Sequence, residues 1–125
     1  MLNPPFDSFR IVWIEISTSR HGHGGIGWEF GTCLWSPSTD KAGRDKYAIM
    51  REPAPGDLIL HLYEDTWDND VMDRRLCGSS IVRTSYREVS KSPPLPGNWA
   101  NMAPYVRIDL EGYEPFKNPV SFATI

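Results

Sequence analysis

Three of the five tryptophans stand where this chain should turn rather than pack. Trp35 precedes Ser36-Pro37, Trp67 lies in an acidic stretch, and Trp99 sits inside Pro96-Gly97-Asn98-Trp99-Ala100-Asn101. An indole held at a strand end or in a loop is suited to one task. Its π face stacks on a flat heterocycle, an interaction of about 1–3 kcal/mol per nucleobase, and an aromatic enclosure also suits a methyl group or a cation. Two such walls could hold a base extruded from a duplex against its unstacking cost. The competing reading makes them structural plugs over the core, as Trp13 reads inside its own apolar run.

The remaining reactive side chains form weaker patterns. His21-Gly22-His23 with His61 is the one grouping that resembles metal ligands, but the glycines make the first pair a loop. No cysteine or carboxylate stands at a supporting zinc spacing. Ser79 and Ser80 follow Cys77-Gly78 without the Gly-x-Ser-x-Gly context of a nucleophile elbow. Gly22-x-Gly24-Gly25 has no helix after it on which to cradle a phosphate. Glu15, Asp57 and His61 qualify as acid or base only if they line a pocket, and the alternation of Glu15 with Ile14 and Ile16 does not decide which side it faces. No catalytic group, metal or cofactor is expected.

These residues need a scaffold, and the local patterns describe a small β protein. Phe9–Ile16 is rich in Ile, Val, Trp and Phe and reads as a strand. Ser17–Gly27, with four glycines, reads as a loop. Trp28–Trp35 resumes strand character, and Pro37 ends it because proline lacks a ladder donor. A short helix is expected within Asp40–Glu52, closing before Pro53. Pro55-Gly56-Asp57 is a turn into a buried strand, Leu58–Tyr63. Glu64–Arg74 reads as a polar hairpin loop and Leu76–Arg83 as the partner strand, in which Gly78 marks a bulge or the close approach of another backbone. Ser90–Pro104 is a long proline-rich loop, Tyr105–Leu110 the last strand, and Glu114–Ile125 a tail that packs on the barrel or starts a linker. The expected fold is mostly β: a small barrel of five to six strands with one or two short helices, as a single domain over residues 1–125.

Composition bounds the function classes. With 125 residues, 40% hydrophobic and 12% aromatic, the chain is globular in type. No apolar run approaches a membrane span, and no basic segment followed by an apolar stretch opens the chain. A cytoplasmic setting is expected, with Cys33 and Cys77 as buried thiols. A net charge of −3 argues against sequence-blind nucleic-acid binding. The signs are unevenly placed, however: Lys41, Arg44, Lys46 and Arg51 cluster, an acidic run spans Glu64 to Asp73, and Arg74, Arg75, Arg83, Arg87 and Lys91 follow. One face can therefore be positive.

Trp35-Ser36-Pro37, the helix-like segment, Met50-Arg51-Glu52, Pro55-Gly56-Asp57-Leu58-Ile59-Leu60-His61 and Leu76-Cys77-Gly78-Ser79-Ser80-Ile81-Val82, taken in order, resemble the EVE/YTH branch of the PUA-like barrels. The resemblance runs from about Phe9 to Leu110. It implies a binding module that holds one flipped, modified base in an aromatic cage, of the kind found in prokaryotic restriction proteins fused to McrB-type GTPases or HNH nucleases. On that resemblance Trp35 and Trp99 are the cage walls, with Trp67 or Tyr63 as substitutes for the second. Ser36, Ser17 and Thr18 meet the base edge, where the YTH type has asparagine instead of the Ser-Thr pair. Arg44, Lys46, Arg51, Arg83 and Arg87 are the expected phosphate contacts. The implied partner is double-stranded DNA carrying a methylated or hydroxymethylated base; the alternative is an RNA-binding PUA-like module.

Overall fold

A computed structural model describes residues 11–18, 24–45, 48–67 and 70–122. Six strands form one curled sheet: β1 (Val12–Thr18), β2 (Cys33–Pro37), β3 (Leu58–Thr66), β4 (Met72–Val82), β5 (Arg87–Val89) and β6 (Tyr105–Ser121). The order across the sheet is β1-β3-β4-β6-β2, with β5 also paired to β6. Among the described residues only β1 and β3 run parallel, from Val12 opposite Leu58 to Thr18 opposite Glu64. The expected mostly-β, barrel-like architecture is thus present as a half-barrel; β1 and β2 end its pairing order, and β5 is a short further edge on β6.

The curl has local causes. The β3–β4 register slips between His61 and Leu62, leaving Cys77 as the extra residue of a bulge, and a bulge bends its strand and increases twist. Gly78 beside it is needed for the close approach that the sequence implied. A Cβ there would stand 2.6 Å from the Glu114 carbonyl oxygen. The 17-residue β6 serves two sets of neighbours, with Tyr105–Asp109 against β2 and Leu110–Ser121 against β4.

The aliphatic core sits inside the curl: Leu34, Ile59, Val82, Ile108 and Leu110, with Trp13 and Met50 packed against it. An aromatic cluster continues it, with Phe30 edge-on to Tyr63 and Tyr113 and 5.1 Å from the His61 ring. Ser80 and His61 lie where the two meet, both at 1% exposure or less.

Several expectations are corrected. Trp28–Thr32 is a run of turns rather than strand, closed by Trp28 N–H to Gly25 O and Thr32 N–H to Glu29 O, because four glycines between Gly24 and Gly31 take positive φ. The expected helix is one 3-10 turn, Ala48–Arg51. The polar hairpin loop is mostly ladder, since β3 runs to Thr66 and β4 begins at Met72. Glu114–Ser121 of the proline-bearing tail is the second half of β6; among the described residues it pairs on one side only, with β4, which leaves room for prolines that lack a donor. Among the described residues no helix is long and apolar enough to cross a membrane.

Candidate functional site

The curled sheet does not close on itself, and the seam between its edges is a cavity of about 610 Å³. That is within the ~300–1,000 Å³ typical of small-molecule sites. One wall is β1 from Trp13 to Thr18, and the other is β2 from Cys33 to Ser36. The glycine-rich turns contribute Trp28, Glu29 and Phe30, the 3-10 turn contributes Ile49 and Met50, and Trp99 comes from the proline-rich loop. Four of the five tryptophans therefore meet here. All five residues expected at a base pocket, Trp35, Ser36, Trp99, Ser17 and Thr18, are among the lining residues. Trp67 and Tyr63 are not. They pack on each other with ring centroids 5.8 Å apart, and the Trp67 indole donates to Asp73 O and lies under Arg75.

Each indole is held by a specific partner. Trp28 and Trp35 meet edge-to-face at 5.8 Å and 82°, and Trp35 also meets Tyr105. Gly24 makes the first pair possible, because a Cβ at its φ of +84° would lie 2.5 Å from Trp28 Cβ and 3.1 Å from Trp35 Nε1. The Arg107 guanidinium lies 4.5 Å from the Trp28 ring centre and donates to Gly27 O, so one face of that indole is already covered. Trp13 donates from Nε1 to the buried Asp57, whose carboxylate also accepts from Ala54 N–H in the Pro55-Gly56 turn. Trp99 is set by Tyr105, a fully buried residue whose hydroxyl donates to Trp99 O at 2.6 Å and accepts from Met102 N–H.

The polar floor comes from β1. The inner face of that strand carries Trp13, Glu15 and Ser17, while Ile14 and Ile16 are more than half exposed. Glu15 turns inward because β1 pairs in parallel with β3 and places it opposite His61. Its Oε1 lies 2.9 Å from His61 Nδ1, and Ser17 Oγ donates to both its oxygens. On its far side His61 Nε2 lies 2.7 Å from Ser80 Oγ, which donates to Gly31 O at 2.7 Å. The order Ser80–His61–Glu15 matches that of a catalytic triad, but Ser80 is buried, does not line the cavity and gives its proton to a carbonyl. Asp57 and His61, the other two residues considered as acid or base, do not line the cavity, whereas Glu15 does. The Ser36 hydroxyl donates to Pro37 O. Thr18 Oγ1 is buried and has no hydrogen-bond partner among the described residues.

The expected phosphate-contacting arginines are all paired. Arg83, Arg87 and Arg107 converge on Asp109. Burial opposes ionisation of that carboxyl, but hydrogen bonds from Arg107 and Arg87 and the attraction of both charges outweigh it and hold the pKa at about 2. Three guanidiniums thus share one carboxylate, and Arg107, stacked on Trp28, also attracts the carboxylate of Glu29. Arg44 is paired with Asp40, and Arg51, from the turn that lines the cavity, with Asp45. Lys46, like His21 and His23, lies outside the described residues. Among the described residues no cluster of metal-ligand type occurs, and His61 has both ring nitrogens engaged. Cys33 and Cys77 are free thiols, and burial pushes Cys33 up to about 11.

Glu15, considered from the sequence only as an acid or base, lines this cavity, and Trp28, Trp13 and Arg107 belong to the site without having been singled out for it. Trp28 follows Gly24-Gly25-Ile26-Gly27, a glycine-rich lead that signals a turn and so an indole presented outside the core. Arg107 carries no local signal, because only strand pairing places it beside Trp35. Comparison of the sequence with protein-family models and with curated proteins gives no match.

Proposed function

We propose that this chain is a reader of a modified base in double-stranded DNA, which it holds extruded in the seam cavity, and that it serves to target a nuclease or NTPase to such DNA. The observation that carries this reading is the convergence of Trp13, Trp28, Trp35 and Trp99 on one cavity of about 610 Å³. A core needs no such arrangement around open space, whereas a flat heterocycle gains about 1–3 kcal/mol from each stacking contact. A methyl substituent in an apolar slot adds on the order of 1 kcal/mol. The arginine group around Asp109, of which Arg107 lies on Trp28, offers guanidinium donors for a few phosphate contacts beside the cavity. The PUA-like resemblance of the sequence points the same way.

Fluorescence polarisation at one fixed salt tests it, with matched duplexes that are unmodified or carry N6-methyladenine, 5-methylcytosine or 5-hydroxymethylcytosine, and an RNA control. The expected result is selective binding of one modified duplex, weakened about ten- to a hundredfold by Trp35→Ala. Binding to RNA with silence across the duplexes would replace the reading by an RNA-binding one. Unchanged affinity in a folded Trp35→Ala protein would remove the cavity from the account.

A further inference from the structure

Hydrogen-bond accounting around Glu15 specifies which edge of a heterocycle the cavity accepts. The Gly31 carbonyl can only accept, so the Ser80 hydroxyl commits its single proton there. His61 Nε2, 2.7 Å from the same hydroxyl oxygen, must then be the donor and carry a proton. At 2.9 Å, His61 Nδ1 and Glu15 Oε1 cannot face each other with two lone pairs, so one further proton lies between them. It rests either on the imidazole, opposite a carboxylate, or on the carboxyl, opposite a neutral ring. Both arrangements make the pair uncharged as a whole, which removes the repulsion a lone carboxylate would present to a polyanion.

Both arrangements also leave Glu15 Oε2 with lone pairs only. Ser17 has committed its hydroxyl proton to Glu15, so its oxygen likewise offers only acceptance. The polar floor beside the indoles is an acceptor surface that does not depend on where the shared proton sits. We infer that Glu15 is the specificity-determining residue of the cavity, and that it accepts an N–H from the exocyclic amino group of a base. Thymine- and uracil-type rings are refused, since their one ring N–H is flanked by two carbonyl oxygens that would face these lone pairs. This inference rests on the base-holding reading of the cavity, and names the ligand class that reading leaves open.

The probes are 5-methyldeoxycytidine and thymidine, which share sugar and 5-methyl group and differ only along one edge, a 4-amino group beside a bare N3 against a 4-oxo group beside N3–H, with N6-methyldeoxyadenosine and deoxyguanosine to separate the amino-bearing sources. Binding is followed by NMR shift perturbation on the whole chain, then repeated with duplexes carrying 5-hydroxymethylcytosine or 5-hydroxymethyluracil, each in its normal pair. The wild type should favour the amino member at least tenfold, the scale of one hydrogen bond to a carboxyl group. Glu15→Gln, checked for folding by thermal melt, should bring that ratio within about threefold, whereas Trp35→Ala should weaken both members together. Equal binding of thymidine and 5-methyldeoxycytidine, or an unchanged ratio in folded Glu15→Gln, overturns the assignment. If Glu15→Gln fails to fold, the wild-type ratio and the 15N signature of a protonated His61 Nε2 decide the matter. Nucleosides that show the ratio while duplexes stay silent would keep the Glu15 assignment and remove the DNA-reading function. Bound duplexes without an amino preference would do the reverse, and silence from both would overturn both.

Discussion

At the scale of single residues, the behaviour of a charged side chain here is set by its partner across the sheet. Asp109 is the clearest case. Its carboxyl is held at about 2 against an ordinary 3.8, because hydrogen bonds from Arg107 and Arg87 outweigh the burial that opposes its ionisation. A depressed carboxyl stabilises the fold above its ordinary pKa and loses that contribution as the pH falls through its folded value. Asp109→Asn should therefore cost about 2 kcal/mol at pH 7. In denaturant melts the gap from wild type should narrow between about pH 4 and pH 2. A gap that is constant with pH would mean the aspartate acts through its shape and not its charge. Glu15 shows the limit of sequence reading at this scale. Strand alternation of Ile14, Glu15 and Ile16 puts the glutamate opposite the isoleucines without deciding which side is inside; the isoleucines are the half-exposed residues and the glutamate faces inward. A buried His61 on the parallel neighbour decides the side, and no local pattern announces it.

At the scale of elements, irregular segments carry the aromatic walls and regular strands anchor them. The Trp99 turn is tied down by one buried residue of the next strand. Tyr105→Phe removes the hydroxyl that bonds Trp99 O and Met102 N–H, and should cost about 1–3 kcal/mol. Hydrogen exchange at Met102 should accelerate more than exchange within β3 and β4; uniform acceleration would mean that Tyr105 supports the whole fold and not this turn. Strand existence was legible in the Ile/Val-rich runs around Trp13, Ile59, Ile81 and Ile108. The Gly78 bulge was legible because a glycine inside a strand signals a close backbone. Two elements were not. Pro115 and Pro119 read as breakers, although β6 runs through both with β4 on a single side. Trp28–Thr32 reads as strand by composition, but positive φ at its glycines folds it into turns.

At the scale of the whole molecule, function follows from a sheet that stops short of closure. The edges β1 and β2 are far apart in pairing order, and the cavity occupies the space between them. Charge at this scale makes a prediction of its own. The net charge is −3, and each of the expected contact arginines within the described residues already has a carboxylate partner. DNA affinity should therefore fall only gently with salt, with a log–log slope of about −2 to −3, corresponding to roughly three phosphates neutralised. Titrations at several salt concentrations measure it, and a slope several-fold steeper would assign binding to a basic surface rather than to the enclosed base.

The sequence by itself determined that the chain is a small, mostly-β protein and that several of its indoles lie outside regular apolar runs. Those are properties of composition and of neighbours a few residues apart, so turn chemistry and strand propensity suffice to read them. It also placed Trp35 and Ser36 at a strand end, Ser17 and Thr18 where the first strand gives way to a loop, and Trp99 inside the proline-rich loop, positions where a site can form. Only the tertiary structure decided that these five share one cavity, that Trp13 and Trp28 join them, and that Glu15 turns inward onto His61. Each of those facts depends on contacts between residues tens of positions apart, set by the parallel register of β1 on β3 and by how far the sheet curls. Neither quantity is written in any local window of the chain.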